Sequence, residues 1–99
     1  MMKDIMNKKV IVRGNDSGVF FGTLTAKEET EVRLENCRRI WRWDGAASIS
    51  QMAMEGVKNP GGCKFTMVVP SIIITDVIEI IPCTDEAITN IEGVAVWKM

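Results

Sequence analysis

Histidine and tyrosine do not occur in this 99-residue chain, and cysteine and proline occur only three times each. The missing histidine removes the commonest proton carrier at neutral pH, and no serine stands in a recognisable nucleophile setting, so an enzyme is not expected. Cys37, Cys63 and Cys83 lie far apart and in no C-x-x-C spacing; with no histidine to complete a ligand set, the sequence predicts neither a metal site nor a cofactor. An odd cysteine count without a signal peptide fits a reducing cytoplasm, where such thiols behave as small buried hydrophobes. Long apolar runs are missing too. "MVV" and "SIII" are far too short to cross a bilayer, and no membrane partner is expected. Nor is one sign of charge in surplus: a net charge of −1 and a pI near 5.4 give no overall basic field to draw the chain onto duplex DNA.

What is present is apolar and unevenly charged. With 46% hydrophobic and 25% charged residues, the chain reads as one domain, 1–99, just large enough to bury a core. Seven methionines suit irregular gaps or an adaptable contact surface. Arg33, Arg38, Arg39 and Arg42 face only Glu35 within their decade, whereas Asp76, Glu79, Asp85, Glu86 and Glu92 stand against Lys98. Opposed patches of this kind can meet across a subunit boundary.

Periodicity divides the chain into short strands with one or two helices. "KKVIVRG" and "VFFGTLTA" flank the turn cluster "GNDSG", and "EVRLENCRRIWRW" follows the second polar turn, "KEET". Strict alternation places Val32, Leu34 and Asn36 on one face of that third strand, then Arg38, Ile40 and Arg42 on one face and Arg39, Trp41 and Trp43 on the other. "ASISQMAMEGV" changes to helical spacing, with Ser48 and Gln51 as a capping box and Gly56 as its stop. Met52 and Met54 cannot both face inward there. A strand from Cys63 to Val69 is expected to break at Pro70, and Ile72 to Ile74 to be buried on both faces. Thr84 caps a last helix ending at Gly93, and "VAVWKM" closes as an extended tail. The expected class is mainly β, a β-rich α+β fold. Its expected form is a small SH3-like or Sm-like curved sheet or barrel of five or six strands, with Gly22 at a sharp bend and an open antiparallel sheet as the alternative.

The candidate site is the stretch "RRIWRWDGAAS". Arg38, Arg39 and Arg42 can grip phosphate, Trp41 and Trp43 can stack on bases, and the helix opening at Ser48 can add amides for an anion. The same residues also fit a structural use: Asp44 pairing with Arg42 or Arg39, a tryptophan plugging the sheet, or an arginine stacked on an indole. A third possibility is a subunit interface, since Trp, Met and Arg are enriched in interface cores; Trp97 and one of Met52 and Met54 are spare apolar groups for it. "GNDSGVFFG" is glycine-rich but joins two strands, so it is not a phosphate loop.

"RRIWRWDGAASISQMAMEGV", followed by "CKFTMVVPSIIITDVIEIIPCTDEA" and "VWKM", resembles a family of small bacteriophage and prophage proteins. The resemblance runs from about Val10 to the C-terminus and carries over no catalytic or ligand residue. It implies a protein acting in the cytoplasm of an infected host cell. The resulting expectation is a non-catalytic homo-oligomer that binds an anionic nucleotide-type ligand at Arg38, Arg39, Trp41, Arg42, Trp43 and Ser48 and so sequesters a host immune signal. The alternatives are an inhibitor that binds a host defence protein or a virion-associated module, and a single-stranded nucleic-acid binder.

Overall fold

In the computed structural model, which describes residues 2–99, six strands form one antiparallel sheet accompanied by two short helices. β1 (Lys9–Gly14), β2 (Val19–Glu28) and β3 (Glu31–Arg42) make the expected meander; α1 (Ile49–Glu55), β4 (Lys64–Phe65), β5 (Val69–Ile74), β6 (Val77–Pro82) and α2 (Asp85–Glu92) follow. β4 and β5 both pair with the outer edge of β3, and the order continues β3-β2-β1-β6. β5 and β6 thus sit at opposite ends of the order although only Thr75 and Asp76 connect them. A chain that short brings the two ends together only if the sheet curls, which makes this the curved, β-rich architecture.

Each face of the sheet has its own core. Inside the curl, Val10, Val12, Phe20, Leu24, Leu34 and Ile74 come from four different strands and pack together. On the outer face Ile11, Phe21, Ile40 and Phe65 pack against Met52 of α1 and Ile91 of α2. β1 therefore buries three consecutive residues, Val10 to Val12, because neither of its faces meets water.

Two interruptions of the ladder decide which side chains of β3 face where. The β2–β3 register slips between Phe21 and Thr23, with Asn36 in the left-handed region at φ 48°. A Cβ on Gly22 would come within 3.1 Å of the Cys37 backbone, tighter than side chains ordinarily pack, so glycine eases this close approach of the strands. The extra residue puts Cys37, not Asn36, with Leu34 inside the curl, and turns Arg38 to the outer face beside Phe65. The second slip, between Ile40 and Arg42 opposite β4, separates the tryptophans: Trp43 packs on the outer core while Trp41 is 63% exposed. The expectation that Trp41 and Trp43 share a face is corrected by that bulge.

The expected break at Pro70 is also corrected. β5 runs through it, because the strand lies on an edge where a missing N–H costs no ladder bond. Ile73 is 55% exposed rather than buried, since nothing among the described residues covers the outer face of β5.

The helices end as their sequences predict. Ser48 Oγ accepts from Gln51 N and Thr84 Oγ1 from Ala87 N, and Gly56 leaves α1 at φ 79°. Met52 is buried and Met54 exposed. Asn90 of α2 clamps the exit of α1: its Nδ2 donates to Val57 O at 2.9 Å and its Oδ1 accepts from Val57 N at 2.7 Å. Beyond α2 the tail returns along β4, where Val96 bridges Phe65 and Trp97 N donates to Phe65 O.

Candidate ligand-binding face

The "RRIWRW" stretch crosses the second bulge, so its side chains part in several directions. Arg38 is 3% exposed, stacked over Phe65 at 5.4 Å. Its guanidinium donates to four backbone carbonyls: Nε to Thr66, Nη1 to Ile91 and Val94, and Nη2 to Phe65. The two Nη1 bonds place a cation at the C-terminal end of α2, where the helix dipole favours positive charge. Burial lowers the pKa of Arg38 from its ordinary value, and the ring of carbonyls stabilises the charge. This arginine ties β3, β4 and α2 together and points away from the exposed indole.

Arg39 leaves the opposite face of β3. Its guanidinium lies 4.4 Å from the Phe20 ring and donates to Ser17 O, at a cleft that Asp16 and Asp76 also line. Asp76 holds the β1–β2 turn by accepting from Ser17 Oγ and from the Asp16 and Ser17 amides, and those bonds hold its carboxyl below the usual carboxylate range. An anion entering this cleft would meet two carboxylates as well as the arginine. Asp44, the expected partner for Arg42 or Arg39, instead accepts from Asn59 Nδ2, and the Gly45 carbonyl accepts from Lys58 N, so "DGAAS" is pinned to the exit of α1. Gln51 Oε1 accepts from Ala47 N beside the Ser48 cap, so side chains from within α1 already occupy the start of this seven-residue helix. Trp43 and Ser48 therefore shape the turn and stand apart from the exposed aromatic face.

Trp41 is left with partners that sequence reasoning did not assign to it. Its indole stacks on Trp97 with ring centroids 6.4 Å apart and planes 7° from parallel, and Lys64 Nζ sits 5.2 Å from the Trp97 ring centre. Both indoles are solvent-accessible, Trp97 at 41%. The tail hydrogen bond from Trp97 N to Phe65 O sets this arrangement, because it lays the tail beside β4, which itself pairs with the end of β3. Arg42, exposed, is the register partner of Lys64, and Lys98 follows Trp97. An otherwise acidic molecule thus carries two near-parallel exposed indoles with Lys64 over one of them, Arg42 opposite Lys64 in the ladder and Lys98 next to Trp97 in sequence. Trp97 was legible as a spare apolar residue; its pairing with Trp41 depends on a tail contact that no local pattern encodes.

Cys37 is buried and Cys83 partly buried. Burial pushes the Cys37 and Cys83 thiols up to about 12, which leaves them protonated at neutral pH. No group of three or more metal-ligating side chains comes together among the described residues. No helix there is long and apolar enough to cross a membrane.

A family model described as a domain of unknown function, DUF6948, matches residues 7–91. The chain belongs to that family. The match takes in the whole sheet and nearly all of α2, including Arg38, Trp41 and Lys64, and stops short of Trp97. A search of curated proteins finds no match.

Proposed function

We propose that this chain is a non-catalytic binding protein for an anionic, ring-bearing ligand of the nucleotide type, held on the face formed by Trp41, Trp97, Lys64 and Arg42. The observation that carries this reading is the exposed pair of parallel indoles with a lysine ammonium over one of them. Indole faces stack on bases at about 1–3 kcal/mol per base, and neighbouring cations hold the phosphates. Of the six residues expected to bind from sequence, Trp41 and Arg42 belong to this face. Arg38, Trp43 and Ser48 position the strands and turn behind it, and Arg39 serves a separate cleft. In the infected cell that the phage resemblance implies, sequestering a nucleotide signal of the host is the use that fits a binder without catalytic groups.

A thermal-shift screen against mononucleotides, cyclic di- and trinucleotides and ADP-ribose tests the proposal. Ligand at 100 times its Kd stabilises the native state by about 2.7 kcal/mol, roughly a 10 °C rise for a domain this small. Trp41→Ala and Lys64→Ala are expected to abolish the shift while changing the stability of the free protein by about 1 kcal/mol or less, since both side chains lie at the surface. Loss of folding in step with loss of binding would contradict the assignment.

One observation favours a second reading, a protein partner on the same face. Val96 and Met99, which lie within two residues of Trp97 in the tail, and Met67, just beyond β4, are exposed, and apolar groups around a tryptophan anchor are common in protein interfaces. A flat nucleotide screen together with specific capture of a host protein that Trp41→Ala abolishes would favour it.

A further inference from the structure

On the outer face, away from the indole pair, a cavity of about 230 Å³ lies between the sheet and the end of α2, lined by Lys9, Phe21, Asn36, Arg38, Val68 and Glu92. Its floor is the Phe21 ring, with Lys9 Nζ 5.7 Å from the ring centre. Its buried polar wall is Arg38. A guanidinium carries five N–H groups, and four backbone carbonyls account for four of them. With one N–H per carbonyl, one Nη2–H is left without a partner among the described residues, on a side chain 3% exposed that lines the cavity. No carboxylate pairs with Arg38; the one carboxylate in the lining, Glu92, is bound to Lys9 at 3.0 Å. The lining thus bears two cations against one anion around an aromatic floor.

We infer that this cavity is a second binding site, taking a small organic carboxylate whose oxygen accepts the free Arg38 N–H and whose ring or alkyl body covers Phe21 and Val68. An anion is favoured over a neutral acceptor by the net positive lining and by the strength of charge-assisted hydrogen bonds. The volume suffices, because an apolar cavity of about 150 Å³ accommodates benzene. Asn36, left-handed at the β3 bulge, lines the cavity. The inference does not rest on the nucleotide reading: neither Trp41 nor Trp97 lines the cavity, although Phe65 O accepts from both Arg38 Nη2 and Trp97 N.

The test is a titration of ¹⁵N-labelled full-length protein with benzoate, and with benzamide as the neutral control, read by ¹H–¹⁵N correlation spectra. Benzoate is expected to shift the Arg38 Nε–H signal and the Phe21 and Val68 amides saturably, and to leave the Trp41 and Trp97 indole signals in place. Lys9→Gln should weaken benzoate binding and Glu92→Gln tighten it, each about two- to fivefold, as befits a partly exposed charge. Val68→Trp, placed at a half-exposed position, should fill the cavity and remove binding while the spectrum stays dispersed. Absence of a saturable shift, benzamide binding as tightly as benzoate, binding that survives Val68→Trp, or shifts confined to the two exposed indoles would each overturn the inference.

Discussion

Arg38 and Arg39 are neighbours of identical type; alternation sends them to opposite faces, and the bulge at Asn36 decides which of the two is buried against Phe65. Arg38→Met keeps the apolar stem but removes a donor from four carbonyls; Phe65 O keeps Trp97 N and Ile91 O keeps Val94 N, so the loss falls on the carbonyls of Thr66 and Val94. A buried acceptor left unsatisfied costs about 1–3 kcal/mol, so a loss of about 3 kcal/mol or more, and a fall in Tm of roughly 15 °C, is expected by thermal denaturation. A variant as stable as the parent would contradict the tie between β3 and α2. Asp76 makes a pH-dependent prediction. Its folded pKa lies below its unfolded value, so its contribution is complete above about pH 4 and is lost as pH falls through the depressed folded value. The protection factors of the Asp16 and Ser17 amides, exchange rates taken relative to the intrinsic rate at each pH, should therefore fall on acidification, and Asp76→Asn should abolish most of that change. At this scale the sequence was legible where one residue acts on its own backbone, as Ser48, Thr84 and Gly56 do. It was not legible where a side chain reaches across the chain, as Arg38 does to Ile91 and Val94.

At the scale of elements, alternation located all three strands of the meander but could not count through a bulge. Each slip moves every later residue to the other face, which is why Cys37 is inside the curl and why Trp41 and Trp43 part. Gly22 was a usable signal for the first slip; nothing in "RIWRW" marked the second. Pro70 reads as a breaker in a strand flanked on both sides and is harmless on an edge, a distinction that depends on sheet order. Beside the apolar contacts that bury Met52, Ala53, Ala87 and Ile91, the two helices share a polar clamp: Asn90 mimics a strand partner for Val57, whose side chain is buried. Asn90→Ala frees both the amide and the carbonyl of Val57 and is expected to cost about 2–3 kcal/mol, seen as a Tm lower by about 10 °C or more. Asn90→Asp keeps the acceptor but loses the donor, and should fall between the two. Equal stability of all three proteins would show that α1 and α2 are held by apolar contacts alone.

For the whole molecule, the curl of the sheet separates two surfaces with different chemistry. The acidic C-terminal third is partly neutralised within the chain, through Lys9 with Glu92 and Arg13 with Glu79, so the charge asymmetry seen in the sequence does not by itself require a second subunit. What remains positive and aromatic is the far end of β3 with β4 and the tail. The β-rich class could be read from sequence; which residues of "RRIWRW" meet solvent could not, because the tail that brings Trp97 to Trp41 lies more than fifty residues downstream. The three tryptophans give the most direct measurement. Their indole N–H signals, assigned by single Trp→Phe variants, are followed while the nucleotide panel is added. The binding account predicts saturable shifts at Trp41 and Trp97 with Trp43 unmoved, at concentrations where Lys64→Ala shows none. Shifts at all three indoles alike, or at none with any nucleotide, would contradict it.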